Sequence, residues 1–147
     1  GAAAGALGMV GGQVLDLAAE REAPDAARVR VLQDLKTGAL IRAACCCGVA
    51  AGRGSAEAYD AAARYGTALG LAFQIRDDML DVTGDAKTLG KAVHVDANKG
   101  TFVRLYGLER CAAMIAAEGE KAAAALGAFA DTAFLEELVR RLAVREA

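Results

Sequence analysis

An antiparallel all-α helical bundle is the fold class this sequence predicts, and three observations carry it. The composition is 55% hydrophobic with much of that Ala, 5% aromatic, one Pro and no Trp, a vocabulary of helix formers and not of strand formers. Apolar residues recur at helical spacing through most of the chain. The pattern breaks only at a few clusters of Gly, Pro and polar residues, so five or six helices account for the sequence. At 147 residues the chain suits one domain with its own core, and no repeat or linker divides it.

The elements follow in order. A first helix over residues 2–20 stops before Glu22-Ala23-Pro24-Asp25, where Pro24 breaks it. A short helix with Val29, Leu32 and Leu35 on one side leads to Lys36-Thr37. An apolar helix then runs to about Ala51 and ends at Gly52-Arg53-Gly54. Ser55 reads as the N-cap of a long helix over 56–82. Thr83 to Gly100 loses the periodicity and reads as a polar loop of a length that is usually functional. A helix over 101–126 carries Leu105, Leu108, Cys111, Ala112 and Ile115 at core spacing, and a last one over 132–145 carries Leu135, Leu138, Val139 and Leu142.

Charge and cysteine usage narrow the function. The 17 basic and 19 acidic residues give a net charge of −2 and are interspersed, so no basic surface for nucleic acid is expected. The longest charge-free stretch, Gly1 to Leu15, falls short of the ~20 residues of a membrane-spanning helix, and no span is expected. Cys45, Cys46 and Cys47 are consecutive and point about 100° apart on a helix, so they cannot converge on one zinc. They read as small buried side chains in a reducing compartment, which implies a cytoplasmic protein; Cys111 by itself adds nothing to that.

The chemistry gathers on the 56–82 helix. Gly66, Gly70, Gln74, Asp77, Asp78 and Asp81 lie three or four apart and form a row along one side. Three acids with no Lys or Arg one turn further on repel one another, and they sit at the negative end of the helix macrodipole. A hard cation of high charge density, Mg²⁺, answers that arrangement of oxygens; a solvated acidic helix end is the bland alternative. Lys36 with Thr37, Lys91 and Lys99 fall at helix starts or in the polar loop, where ammonium, hydroxyl and backbone N–H groups meet phosphate oxygens. Carboxylates, Mg²⁺ and lysines together point to a diphosphate ligand. The glycines Gly8, Gly11, Gly12, Gly66 and Gly70 either leave room for an apolar tail or let helices pack closely.

These residues resemble the trans-isoprenyl diphosphate synthases, the polyprenyl synthetase family that includes farnesyl and geranylgeranyl diphosphate synthases. Gly8-Met-Val-Gly-Gly-Gln-Val-Leu-Asp-Leu17 is similar to the family's glycine-rich segment and Leu35-Lys36-Thr37-Gly38-Ala39-Leu40-Ile41 to its lysine-threonine segment. Tyr65-Gly66 and Leu69-Gly70-Leu71-Ala72-Phe73-Gln74-Ile75-Arg76-Asp77-Asp78-Met79-Leu80-Asp81 are similar to the second aspartate-rich motif with its flanks. The resemblance covers essentially the whole chain and implies a partial helical bundle of the isoprenoid synthase type.

It also implies that Asp77 and Asp81, with Asp78 assisting, hold Mg²⁺ against an allylic diphosphate, that Lys36 and Lys91 contact its oxygens, and that Thr37 and Gln74 line the same substrate. Phe73 matches an aromatic near isopentenyl diphosphate. Lys99 and Asp96 match a later loop, with His94 where the family carries glycine. Arg140, Arg141 and Arg145 are similar to basic C-terminal tails in the family. A homodimer is implied as well.

No first aspartate-rich motif stands in the sequence. The chain is therefore expected to be part of a longer enzyme, to expose a wide apolar face, to self-associate, and to be inactive alone. A non-catalytic helical partner subunit of such a synthase is the second reading, while a terpene cyclase relative fits the Lys36 and Gln74 contexts less well.

Overall fold

The computed structural model describes residues 1–19, 25–89 and 100–144, and of 84–89 only the helical backbone. Among the described residues it is all-helical: α1 (Met9–Ala19), α2 (Ala26–Gln33), α3 (Ala39–Ala51), α4 (Ala56–Leu89), α5 (Phe102–Ala125) and α6 (Ala133–Val144), with 3-10 turns at Ala2–Ala4 and Leu126–Ala128. Side-chain caps start three of them. Asp25 accepts from Arg28 N–H at 2.9 Å, Ser55 from Ala58 N–H at 3.2 Å and Thr101 from Arg104 N–H at 3.2 Å, each satisfying a donor that the first turn cannot pair. After α3 the chain turns through Arg53, in the left-handed region at φ 53°.

Three boundaries differ from expectation. The first helix does not start at residue 2: a 3-10 turn and a glycine-flanked bend precede Met9. No break occurs at Lys36-Thr37, because a π-helical turn over Asp34–Gly38 carries α2 straight into α3, with Ala39 N–H donating to Asp34 O five residues back. Lys36 and Thr37 are thus inside a helix, without the open N–H groups of a helix start. The long helix continues past residue 82 to Leu89, so part of the expected loop is helical.

α4 is the axis of the bundle. Its Ala61, Tyr65, Ala68, Ala72 and Ile75, spaced four and three apart, are all buried, which gives one apolar stripe for α5 and leaves the adjoining face for α3. Ile75 and Tyr65 are 0% and 1% exposed; burial on that scale stabilises by about 1.5–3 kcal/mol for each such side chain. Gly38 lies against Gly70 and Arg42 against Gly66, so α3 runs antiparallel to α4. In the other direction Tyr65 Oη donates to Leu135 O at 3.0 Å and Arg76 Nε to Leu142 O at 3.2 Å, so α6 runs parallel to α4.

Gly107, at φ 77° and ψ 164°, kinks α5. The kink resets the helical phase: Phe102, Cys111 and Ile115 are buried, whereas Leu108 and Ala112, expected in the core, are exposed. Of the cysteines, Cys46 and Cys111 are buried, Cys45 is half-buried and Cys47 is exposed, so the expectation of burial fails for Cys47, which α3 turns outward. Arg140 and Arg141 both bind Glu137, and these partners hold its carboxyl down at about 2; Arg145 lies outside the described residues.

Leu7, Val10, Val14 and Leu17 form an exposed stripe along the first segment. The 18 residues Ala2–Ala19 reach the length and apolarity of a membrane span on composition alone, where counting uncharged residues did not. Here the segment is broken before Met9 and docks through Gly12 and Asp16 on the π turn.

Candidate functional site

Three segments converge where the acidic half of α4 meets the π turn, and glycines set the distances. A Cβ on Gly12 would stand 2.4 Å from Lys36 N, one on Gly66 2.7 Å from Arg42 Cα and one on Gly70 3.0 Å from Gly38 Cα. Backbone occupies the space that side chains would need. Of the two readings of these glycines, close packing is the one seen at Gly12, Gly66 and Gly70: they let α1, the π turn, α3 and α4 pack in direct contact.

That contact brings Thr37 onto Gln74. Thr37 Oγ1 donates to Gln74 Oε1 at 2.9 Å, Gln74 Nε2 donates to Asp78 Oδ1 at 3.0 Å, and Phe102 N–H, the first of α5, donates to Asp78 Oδ2 at 2.8 Å. Asp78 is 5% exposed. It ties α4 to the N-terminus of α5, where a carboxylate meets both an unpaired N–H and the positive end of the macrodipole. Burial first, and the Asp78 charge second, push the Cys111 thiol up.

The other two carboxylates stand differently. Asp77 is half-buried and Asp81 exposed, one turn apart on α4. Lys36 is bound on α1: its Nζ donates to Asp16 Oδ2 at 2.6 Å. Phe73 faces away from the relay, onto an apolar hollow of about 670 Å³ lined by Ile41, Cys45, Leu69, Leu138 and Leu142, with Arg141 at its edge. Lys91, His94, Asp96 and Lys99 lie outside the described residues. Among the described residues no three acidic, imidazole or thiol groups form a ready metal cage. Asp77 and Asp81 nevertheless fit Mg²⁺ as a donor set, since that ion commonly takes one or two carboxylates and fills its octahedron with water and phosphate oxygen.

Two contacts beside the candidate site were not visible in the sequence. Asp16, the partner of Lys36, sits one turn after Gly12, and that i, i+4 relation to a close-packing glycine is the signal that could have found it. Arg76 donates from its guanidinium to Leu142 O and Ala143 O, capping the C-terminal end of α6 beside the acidic motif.

Comparison with known proteins decides the family. Residues 3–138 match the polyprenyl synthetase family. The chain belongs to that family. Curated relatives include geranylgeranyl pyrophosphate synthase 3 of Arabidopsis thaliana, chloroplastic, 43% identical over 113 residues covering 74% of this chain and 31% of the relative. Farnesyl diphosphate synthase of Escherichia coli is 44% identical over 111 residues, 74% of this chain and 37% of its own length.

Among solved polyprenyl synthetases, an FPP/GFPP synthase from Zymomonas mobilis superposes with a TM-score of 0.84 at 37% identity, over 96% of this chain and 47% of that one. A geranyltransferase from Helicobacter pylori, crystallised with magnesium and isoprenyl diphosphate, superposes at 0.76 and 33% identity over 97% and 48%. The bundle is thus the isoprenoid synthase fold, and the chain spans about a third of these curated relatives and about half of these solved chains.

Proposed function

We propose that this chain supplies the part of a prenyltransferase site that carries the second aspartate-rich motif, acting on an allylic diphosphate and isopentenyl diphosphate. The observation that carries the reading is the 2.9 Å bond from Thr37 to Gln74. It joins the lysine-threonine turn to the acidic stretch of α4, two segments that a diphosphate ligand needs side by side.

Asp77 and Asp81 are the residues that would hold Mg²⁺, with Asp78 anchored behind them. A bound Mg²⁺ would neutralise the charge that the diphosphate acquires as its allylic C–O bond breaks. Lys36 is bound to Asp16 through a partly exposed pair, its side chain 35% and that of Asp16 23% exposed. Pairs of that kind are worth about 1 kcal/mol or less, so Lys36 exchanges Asp16 for a phosphate oxygen at small cost. Lys91 and Lys99 are assigned to the same diphosphate on the family resemblance alone. Phe73 is assigned to isopentenyl diphosphate on the family resemblance alone; the double bond of that substrate forms the new C–C bond, and the product then loses a proton.

One acidic motif holds half of the expected metal site, so turnover needs the complementary half, from the rest of a longer chain or from a second copy. The exposed stripe of Leu7, Val10, Val14 and Leu17 is the surface such a partner would cover. The same stripe favours the second reading, a non-catalytic helical subunit of a synthase, which needs no metal.

Isothermal titration with Mg²⁺ and a non-hydrolysable allylic diphosphate analogue separates the two. Binding that requires Mg²⁺ and disappears in Asp77→Ala and in Asp81→Ala supports the prenyltransferase reading, while binding indifferent to both substitutions removes it.

A further inference from the structure

Asp78 belongs to the acidic motif by sequence and faces the interior by structure, and its surroundings give it a different task. A carboxylate offers only acceptors. One oxygen is taken by Phe102 N–H at 2.8 Å and the other by Gln74 Nε2 at 3.0 Å, and at 5% exposure water does not compete. The Phe102 donor is main chain at the head of α5 and cannot reverse. The Gln74 amide can face Asp78 only with its NH₂, since its carbonyl would set oxygen against oxygen. That leaves Gln74 Oε1 toward Thr37, 2.9 Å away, and a carbonyl oxygen only accepts. The one hydroxyl hydrogen of Thr37 is thereby committed inward.

We propose that Asp78 is a positioning residue that sets the direction of this hydrogen-bond relay, so that Thr37 presents lone pairs, and no donor, to any ligand beside it. A phosphate oxygen is itself an acceptor and is refused at Thr37 Oγ1, which leaves it to Lys36. An electron-poor or hydrogen-donating part of the ligand is accepted there. This corrects the expectation that the Thr37 hydroxyl meets phosphate oxygens. The relay's direction stands on the chain's own contacts; its consequence for the ligand rests on the proposed prenyltransferase site.

The orientation of the Gln74 amide is readable by NMR on the isotope-labelled chain without any ligand. In the unsubstituted protein the Gln74 NH₂ protons should show NOEs to the Asp78 β protons and the Phe102 amide proton, and none to the Thr37 methyl. In Asp78→Asn the single carbonyl oxygen stays with Phe102 N–H and the new NH₂ faces Gln74, which must flip. The NOE to the Phe102 amide is then lost and one to the Thr37 methyl is gained. An NOE from Gln74 NH₂ to the Thr37 methyl in the unsubstituted protein overturns the proposal, as does an unchanged pattern in a folded Asp78→Asn. If that variant does not fold, the unsubstituted protein decides alone. Failure of Mg²⁺ and diphosphate to bind counts against the proposed function and leaves the NOE result standing.

Discussion

Replacing Gly12 with Ala probes the packing on which the site depends. The added Cβ would lie 2.4 Å from Lys36 N, 2.6 Å from Lys36 Cα and 2.9 Å from Leu35 C. All three atoms are backbone of the π turn, so no side chain can swing aside. The gap to ordinary van der Waals contact is roughly 1 Å, and α1 must retreat by that much. Overpacking of this kind costs about 1–3 kcal/mol, and loss of the Lys36–Asp16 pair adds up to about 1 kcal/mol. The higher helix propensity of Ala returns roughly 1 kcal/mol.

The net expectation is a destabilisation of up to about 3 kcal/mol, centred near ~1.5 kcal/mol, which at that centre is a fall in Tm of roughly 3–6 °C for a chain of this size. Gly48→Ala is the matched control, because it is exposed in α3 and a Cβ there meets nothing within 4 Å. It should stabilise by about 0.5–1 kcal/mol. Chemical denaturation followed by circular dichroism compares the two. If Gly12→Ala moves in the same direction as Gly48→Ala, the close approach of α1 to the π turn is not real.

Two further outcomes follow from single contacts. Gly107→Ala forces a side chain into the region at φ 77° and ψ 164°, which is essentially reserved for Gly and costs about 1–3 kcal/mol; an unchanged denaturation midpoint would mean that α5 is straight in solution. Burial, with a smaller contribution from Cys45, pushes the Tyr65 hydroxyl up to about 12 from 10. Its folded value lies above its unfolded one, so its contribution is complete below pH 10 and is lost as pH rises towards 12. Tyr65→Phe should remove that part of the alkaline destabilisation and lower stability at neutral pH by about 0.5–1.5 kcal/mol through loss of the bond to Leu135 O. Parallel alkaline curves for the two proteins would refute the assignment.

What the sequence disclosed, and what it hid, divides by the range of the interaction. Helix type and most boundaries were legible because they rest on local chemistry: Asp25, Ser55 and Thr101 stand just ahead of helices α2, α4 and α5 and cap them with their own side chains. The π turn was not, since Asp34–Gly38 contains no residue that demands an i to i+5 bond. Gly84 and Asp85 resemble turn residues, yet α4 continues through them to Leu89.

In the candidate site, spacing grouped the aspartates with Gln74 and the family resemblance added Thr37, but neither said which way each acid turns. Asp77 and Asp78 are adjacent and point about 100° apart, yet each stands three or four residues from Gln74, so spacing alone does not tell which one turns inward; the N–H that receives Asp78 belongs to Phe102, 24 residues on. The glycines were ambiguous for the same reason. Only the approach of Lys36, Gly38 and Arg42 from other elements shows that their missing side chains make room for backbone.

In the function proposed above, Asp77 and Asp81 grip a divalent metal together with a diphosphate. Adding Mn²⁺ in place of Mg²⁺, with inorganic pyrophosphate, to the isotope-labelled chain tests it most directly, because the paramagnetic ion broadens nearby amide signals. Broadening centred on Asp77, Asp81 and the Lys36-Thr37 turn, dependent on pyrophosphate and abolished in the Asp77→Ala/Asp81→Ala double variant, is the predicted result. Broadening that survives that double variant, or that centres on Glu136 and Glu137 of α6, would contradict it.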